Sequence, residues 1–215
     1  MKYYALILIS LFYVTASQSQ ETAQKLMDRM QTNFVDQDEM AFDFSLTVRI
    51  PEQNNIVLDG SLIRSNEKFS ATLGDRWIKT DGVTQWVYDP ELEEVQIYDA
   101  SDENSLPMSP EEILKIYNTD DFDFEITKKI PAEEDLIYLV EFKPRDKSSF
   151  VVKASIKLYK STALPLFMKV SERDGTQYTL ELDNINSKPS INPNIFTFQA
   201  KNYPNLRTED LRMQE

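Results

Sequence analysis

The chain has no cysteine and no histidine, and only four glycines (Gly60, Gly74, Gly82 and Gly175) in 215 residues. These absences exclude a Ser-His-Asp triad, a thiolate nucleophile, an ordinary zinc site and a disulfide framework. Four scattered glycines leave no phosphate-binding loop and no dinucleotide fingerprint. Basic residues are also scarce. The chain carries 23 Lys and Arg against 36 Asp and Glu, a formal net charge of −13. Without a basic stripe the sequence gives nucleic acid no footing, and its net charge opposes binding to an anionic membrane. No apolar run reaches the roughly 20 residues that a membrane-spanning helix needs.

What is present is an apolar, aromatic-rich chain. Hydrophobic residues make up 41% and aromatics 11%, enough for a packed core. The first residues resemble an export leader. Lys2 supplies the positive charge, Tyr3 to Val14 the apolar run, and Val14-Thr15-Ala16 the small residues of a cleavage site. Residues 1–16 are therefore expected to be a signal peptide. The remainder, 17–215, is expected to be one exported domain in the periplasm, one unit more acidic for the loss of Lys2.

Period 3.6 occurs first. Thr22 to Phe34 predicts a helix with Ala23, Leu26, Met27, Met30 and Phe34 on one stripe. The period then falls to two, with Phe42, Phe44, Leu46, Val48 and Ile50 alternating with polar residues. Further strands are expected at 56–64, 68–73, 76–80, 84–89 and 94–99, and again at 122–130, 136–143, 150–159, 164–173 and 176–186. Gly74, Gly82 and Gly175 follow or precede aspartates at short connections. Such connections force neighbouring strands to run antiparallel, and Asp174-Gly175 reads as a two-residue hairpin. Ser109-Pro110-Glu111-Glu112 starts a helix midway through the meander. The expected fold is mainly β: a half-open antiparallel barrel of about eleven strands, with helices covering its concave face.

The acidic clusters give no reaction centre. Asp99 to Glu103 fails the calcium-loop pattern, with Asn104 where glycine is needed. Asp121, Asp123 and Glu125 alternate with apolar residues as a solvated strand face does. No carboxylate pair is singled out for glycoside hydrolysis. A curved sheet with two short helices instead leaves inward apolar side chains to line a cavity. The candidates are Phe42, Phe44, Leu46, Leu62, Phe69, Trp77 and Trp86, with Met108, Leu114 and Tyr117 on the covering helix. Such a concavity implies an apolar ligand and neither metal nor cofactor. For Trp86 and Tyr88 the core of a hairpin is an equally good reading.

Residues 79–95, KTDGVTQWVYDPELEEV, closely resemble a motif in which Ser/Thr-Asp-Gly leads into Trp-x-Tyr-Asp-Pro. Gly60-Ser61-Leu62-Ile63-Arg64 with Phe69, then Pro107-Met108 with Ile113 to Asn118, and finally Asn194-Ile-Phe-Thr-Phe198 follow the same family's order. The chain resembles the periplasmic outer-membrane lipoprotein carriers of the LolA type. The resemblance implies a half-open barrel under a helical lid. The implied activity is transfer of acylated lipoproteins, as a monomer, from an inner-membrane ABC transporter to an outer-membrane acceptor, without catalysis. It places acyl chains against Leu62 and Phe69. Many members carry Arg-Pro after the Gly-x-Leu strand, and its arginine hydrogen-bonds the lid. Here the stretch reads Arg64-Ser65-Asn66, so Arg64 is expected to serve. A lipid- or lipoprotein-sensing regulator of the same fold and a secreted carboxylate-dependent hydrolase are the alternatives.

Overall fold

The computed structural model describes residues 22–101, 121–203 and 205–212. The leader at 1–16 and the mid-chain helix at 109–118, with Met108, Leu114 and Tyr117, lie outside the described residues. The N-terminal helix α1 spans Ala23–Met30. Thr22 caps it by accepting a hydrogen bond from the Lys25 backbone N–H. A π-helical turn, Gln31–Val35, continues it and keeps Phe34 on the buried stripe.

Among the described residues twelve strands follow: β1 (Glu39–Arg49), β2 (Ile56–Ser65), β3 (Lys68–Leu73), β4 (Arg76–Thr80), β5 (Thr84–Asp89), β6 (Glu94–Asp99), β7 (Phe122–Ala132), β8 (Asp135–Pro144), β9 (Val151–Tyr159), β10 (Pro165–Glu172), β11 (Gln177–Asn186) and β12 (Arg207–Asp210). They form one open sheet in the order β12-β6-β5-β4-β3-β2-β1-β11-β10-β9-β8-β7. The eleven expected strands all appear, two of the meanders meeting at the β1–β11 pair. The twelfth lies outside that expectation. β12 pairs with β6 in parallel, which requires the chain to return from β11 to the far edge of the sheet. The last hairpin also differs from expectation. Glu172 and Thr176 close it around three residues, with Gly175 at φ +93°.

Strand register divides the sheet into two faces. On the inner face Met40, Phe42, Phe44 and Leu46 of β1 join Leu62, Ala71, Met168, Val170, Leu180, Leu182, Ala154, Ile156, Tyr138, Val140 and Phe142 in one core. Leu26, Met27, Met30 and Phe34 of α1 and its π turn complete it. The helix thus lies over the inner face. Its side chains bond to the β9–β10 connection, where Arg29 donates to the Ser161 carbonyl at 2.5 Å and Asn33 to the Thr162 carbonyl at 2.8 Å. On the outer face the segment after β11 folds back. Its short 3-10 turn Pro193–Phe196 lies against β3 and β4, with Phe196 buried.

Candidate functional site

The inner wall is built by cross-strand alignment. Phe42 faces Leu62, Leu62 faces Ala71, and Phe44 faces Gly60. The reason for a glycine at position 60 is the Phe44 ring. A methyl group built on Gly60 would stand 2.4 Å from Phe44 Cζ and 2.3 Å from the Thr72 carbonyl oxygen. The ring therefore packs closely against the backbone of β2 at Gly60, and the aromatic line continues from Phe44 to Phe42 (6.1 Å) and on to Phe34 (5.6 Å). Phe42, Phe44, Leu46 and Leu62 are buried at 4%, 4%, 7% and 1% exposure, whereas Phe69 is half-buried at the margin. The wall is closed by α1, and methionines abound at the seam: Met27, Met30, Met40 and Met168. Unbranched thioether chains repack readily around a changed neighbour.

Arg64 fixes that closure. It projects from β2 on the inner face, level with Met40 and Phe69. One guanidinium nitrogen donates to the Phe34 carbonyl at 2.7 Å and to the Val35 carbonyl at 2.6 Å. These are carbonyls of the last helical turn, which have no intrahelical donor, and a cation there also meets the negative end of the helix dipole. Its Nε has no partner among the described residues. Arg64 therefore clasps the N-terminal helix, while the mid-chain lid position expected for it lies outside the described residues.

Register separates Trp77 and Trp86 from this group. Ala71 pairs with Ile78 and Thr72 with Trp77, so Trp77 points to the outer face, as does Trp86 opposite Lys79. Trp77 stacks on Tyr88 (centroids 5.6 Å apart) and packs against Phe198 (5.6 Å) and Tyr203 (6.3 Å), with the Lys79 ammonium 5.3 Å from its ring. Burial lowers the pKa of Lys79. This cluster clamps the C-terminal segment to the back of the sheet. Both strands carry apolar residues on each face, so alternation alone could not assign the inward side.

The inner face is not uniformly apolar. Towards β4–β6 it bears Thr80 and Gln85, both buried, and a chain of polar groups at the edge. Tyr98 donates to Gln96 Oε1 at 2.8 Å, and Gln96 Nε2 to Glu94 Oε1 at 3.3 Å. Arg207 of β12 forms an ion pair with the buried Glu94. Burial pushes the Glu94 carboxyl up, but the hydrogen bonds from Arg207 and Gln96 outweigh it and hold the group below its ordinary value. None of this signalled itself in sequence, because Arg207 and Glu94 lie more than a hundred residues apart. A depression of about 570 Å³ also lies at β2, β1 and β11, where Phe44, Gly60 and Leu182 meet Asp43, Asp59, Glu181 and Asp183. Its carboxylate rim sets it apart from the apolar wall.

A family model described as outer membrane lipoprotein carrier protein LolA matches residues 75–199. A search of the curated proteins finds no match. Among solved structures, a conserved protein from Thermus thermophilus superposes with a TM-score of 0.54 at 11% identity, covering 87% of this chain and 98% of its own. A LolA superfamily protein from Nitrosomonas europaea gives a TM-score of 0.41 at 13% identity, with 83% and 99% covered.

Proposed function

The chain belongs to the outer membrane lipoprotein carrier family LolA, and from that membership we propose that it is a periplasmic carrier for the acyl chains of lipoproteins. In this reading a leader at 1–16 exports the chain, and one domain, 17–215, takes lipoproteins from an inner-membrane ABC transporter to the outer membrane. The protein binds and releases and does no covalent chemistry. Phe42, Phe44, Leu46, Leu62 and Phe69 form the wall against which acyl chains lie. Met108, Leu114 and Tyr117 belong to the lid that shields them. Trp77 and Trp86 support the fold from behind.

One observation carries the reading: among the described residues, the apolar wall is covered by the short helix α1 and its π turn, which the Arg64 side chain holds down. Four buried side chains, Leu26, Met27, Met30 and Phe34, supply the helix's hold. At roughly 1.5–3 kcal/mol each they contribute about 6–12 kcal/mol. An acyl chain gains about 0.8 kcal/mol per buried methylene, so a long one gains on the order of 10 kcal/mol. The two are comparable. An acyl chain can take the place of the helix without being held too tightly to pass on. Displacement of an apolar fluorophore by an acylated lipoprotein tests the idea. Phe69→Glu, at the open margin of the wall, should weaken both ligands at least tenfold with the fold intact; equal binding in the variant would take Phe69 out of the site.

A further inference from the structure

The net charge conceals a division. Residues 122–173, which make β7 to β10, hold ten of the 23 basic side chains but only eight of the 36 acidic ones. This part is slightly positive, and the remainder bears the whole acidic excess. On the outer face the basic residues converge at one place. Lys153 of β9 pairs across to Ser171 of β10, and Ser155 pairs to Lys169. The result is a two-by-two pattern with the lysines on one diagonal and the hydroxyls on the other. Diagonal positions on adjacent strands are about 7–8 Å apart, the width of a phosphodiester between two ammonium groups. A depression of about 180 Å³ lies among these four side chains, Ala154 and Glu141. Glu141 accepts a hydrogen bond from Lys153 at 2.8 Å and is the one carboxylate in the depression. Lys157 continues the basic row, its ammonium 4.3 Å from the Phe167 ring.

We propose that this outer face of β8–β10 is a docking surface for an anionic phospholipid bilayer, with a headgroup phosphodiester seated between Lys153 and Lys169. Apolar exposure beside the depression favours a bilayer over a free anion. Phe150, just ahead of β9, is 84% exposed, and Val152 is 41% exposed. An aromatic side chain beside ammonium groups suits the interface between headgroups and acyl chains. Carboxylates flank the surface on both sides: Glu181 of β11 pairs across to Phe167, and Glu125 of β7 pairs across to Glu141. The attraction is therefore local to the Lys153–Lys169 diagonal and short-ranged, with a Debye length of about 8 Å at physiological salt. The surface is separate from the apolar wall, and its use does not depend on what that wall carries.

Co-sedimentation with phosphatidylglycerol-containing and pure phosphatidylcholine vesicles tests the proposal. The protein should be retained on the first, released by high salt, and not retained on the second. The double variant Lys153→Glu/Lys169→Glu should lose at least tenfold in retention. Glu141→Gln should gain retention, an effect that a folding defect cannot produce. Phe150→Ser should weaken retention on vesicles while binding of an apolar fluorophore stays as in the parent. Equal retention on both lipids, or parental retention by the double variant, overturns the proposal. So does binding of inorganic phosphate at this site without vesicle retention.

Discussion

Replacing Arg64 with alanine isolates the clasp from the wall that it closes. The substitution removes two hydrogen bonds from a guanidinium to the Phe34 and Val35 carbonyls. Bonds with a charged donor contribute about 1.5–3 kcal/mol each, but water can reach the end of a helix and recover much of this. A net loss of about 2 kcal/mol from the closed arrangement raises the open population roughly 30-fold. If acyl-like ligands bind only the open arrangement, apparent affinity rises with that population, since the occupied fraction of the competent state sets it. Two assays should therefore move together. Amide hydrogen exchange should accelerate in α1 and its π turn, through Val35, and leave β8 to β11 unchanged. An apolar fluorophore should bind about tenfold or more tightly. Arg64→Lys, which keeps a cation but cannot reach both carbonyls equally, should fall between. Unchanged exchange in α1 together with unchanged fluorophore affinity would refute the clasp.

Gly60→Ala should destabilise the protein by about 2–3 kcal/mol, because the new methyl group forces the Phe44 ring and the β2–β3 pairing apart; urea unfolding measures it. Trp77→Ala should cost about 3 kcal/mol and make residues 193–203 protease-sensitive, while fluorophore binding stays as in the parent. Weakened binding would return Trp77 to the ligand site. Hydrogen bonds from the Ser161 hydroxyl and the Leu136 backbone hold the Asp135 carboxyl below its ordinary value. A depressed pKa stabilises the fold above the unfolded value near 3.9, and that stability is lost as pH falls through the folded value. Asp135→Asn should therefore lower stability at neutral pH and flatten its decline below about pH 4, measured by thermal unfolding across pH.

Sequence reveals more of the fold than of the site. Strands such as Lys68–Leu73 and Glu94–Asp99 are legible to the residue because alternation stops at Gly74, Gly82 and Pro90, where the backbone turns. β12 is not legible. Its four residues, Arg-Thr-Glu-Asp, carry no apolar alternation, and its partner β6 is distant in the chain. At the wall, Phe42, Phe44 and Leu46 can be assigned because polar residues alternate with them, whereas Leu62, with Ile63 beside it, is assigned by the Gly-x-Leu resemblance. Arg-Trp-Ile-Lys-Thr has apolar neighbours pointing both ways, and only the register against β3 assigns Trp77 to the back. The family resemblance gives Arg64 to a lid, but which carbonyls it meets depends on the π turn, which has no sequence signature.

An open sheet leaves two rows of unpaired peptide groups that a closed barrel would not have. Among the described residues they run along β12 and β7, and each is unattractive to another strand. β12 is four residues long, exposed throughout, and alternates charge sign between Arg207 and Glu209. β7 carries Lys128, Lys129 and Pro131, with a bulge at Ile126–Lys128 that interrupts its pairing with β8. Short length, charge, proline and bulging are the devices by which sheet proteins avoid joining edge to edge. A sheet left open at both ends thus resists polymerising through its own margins.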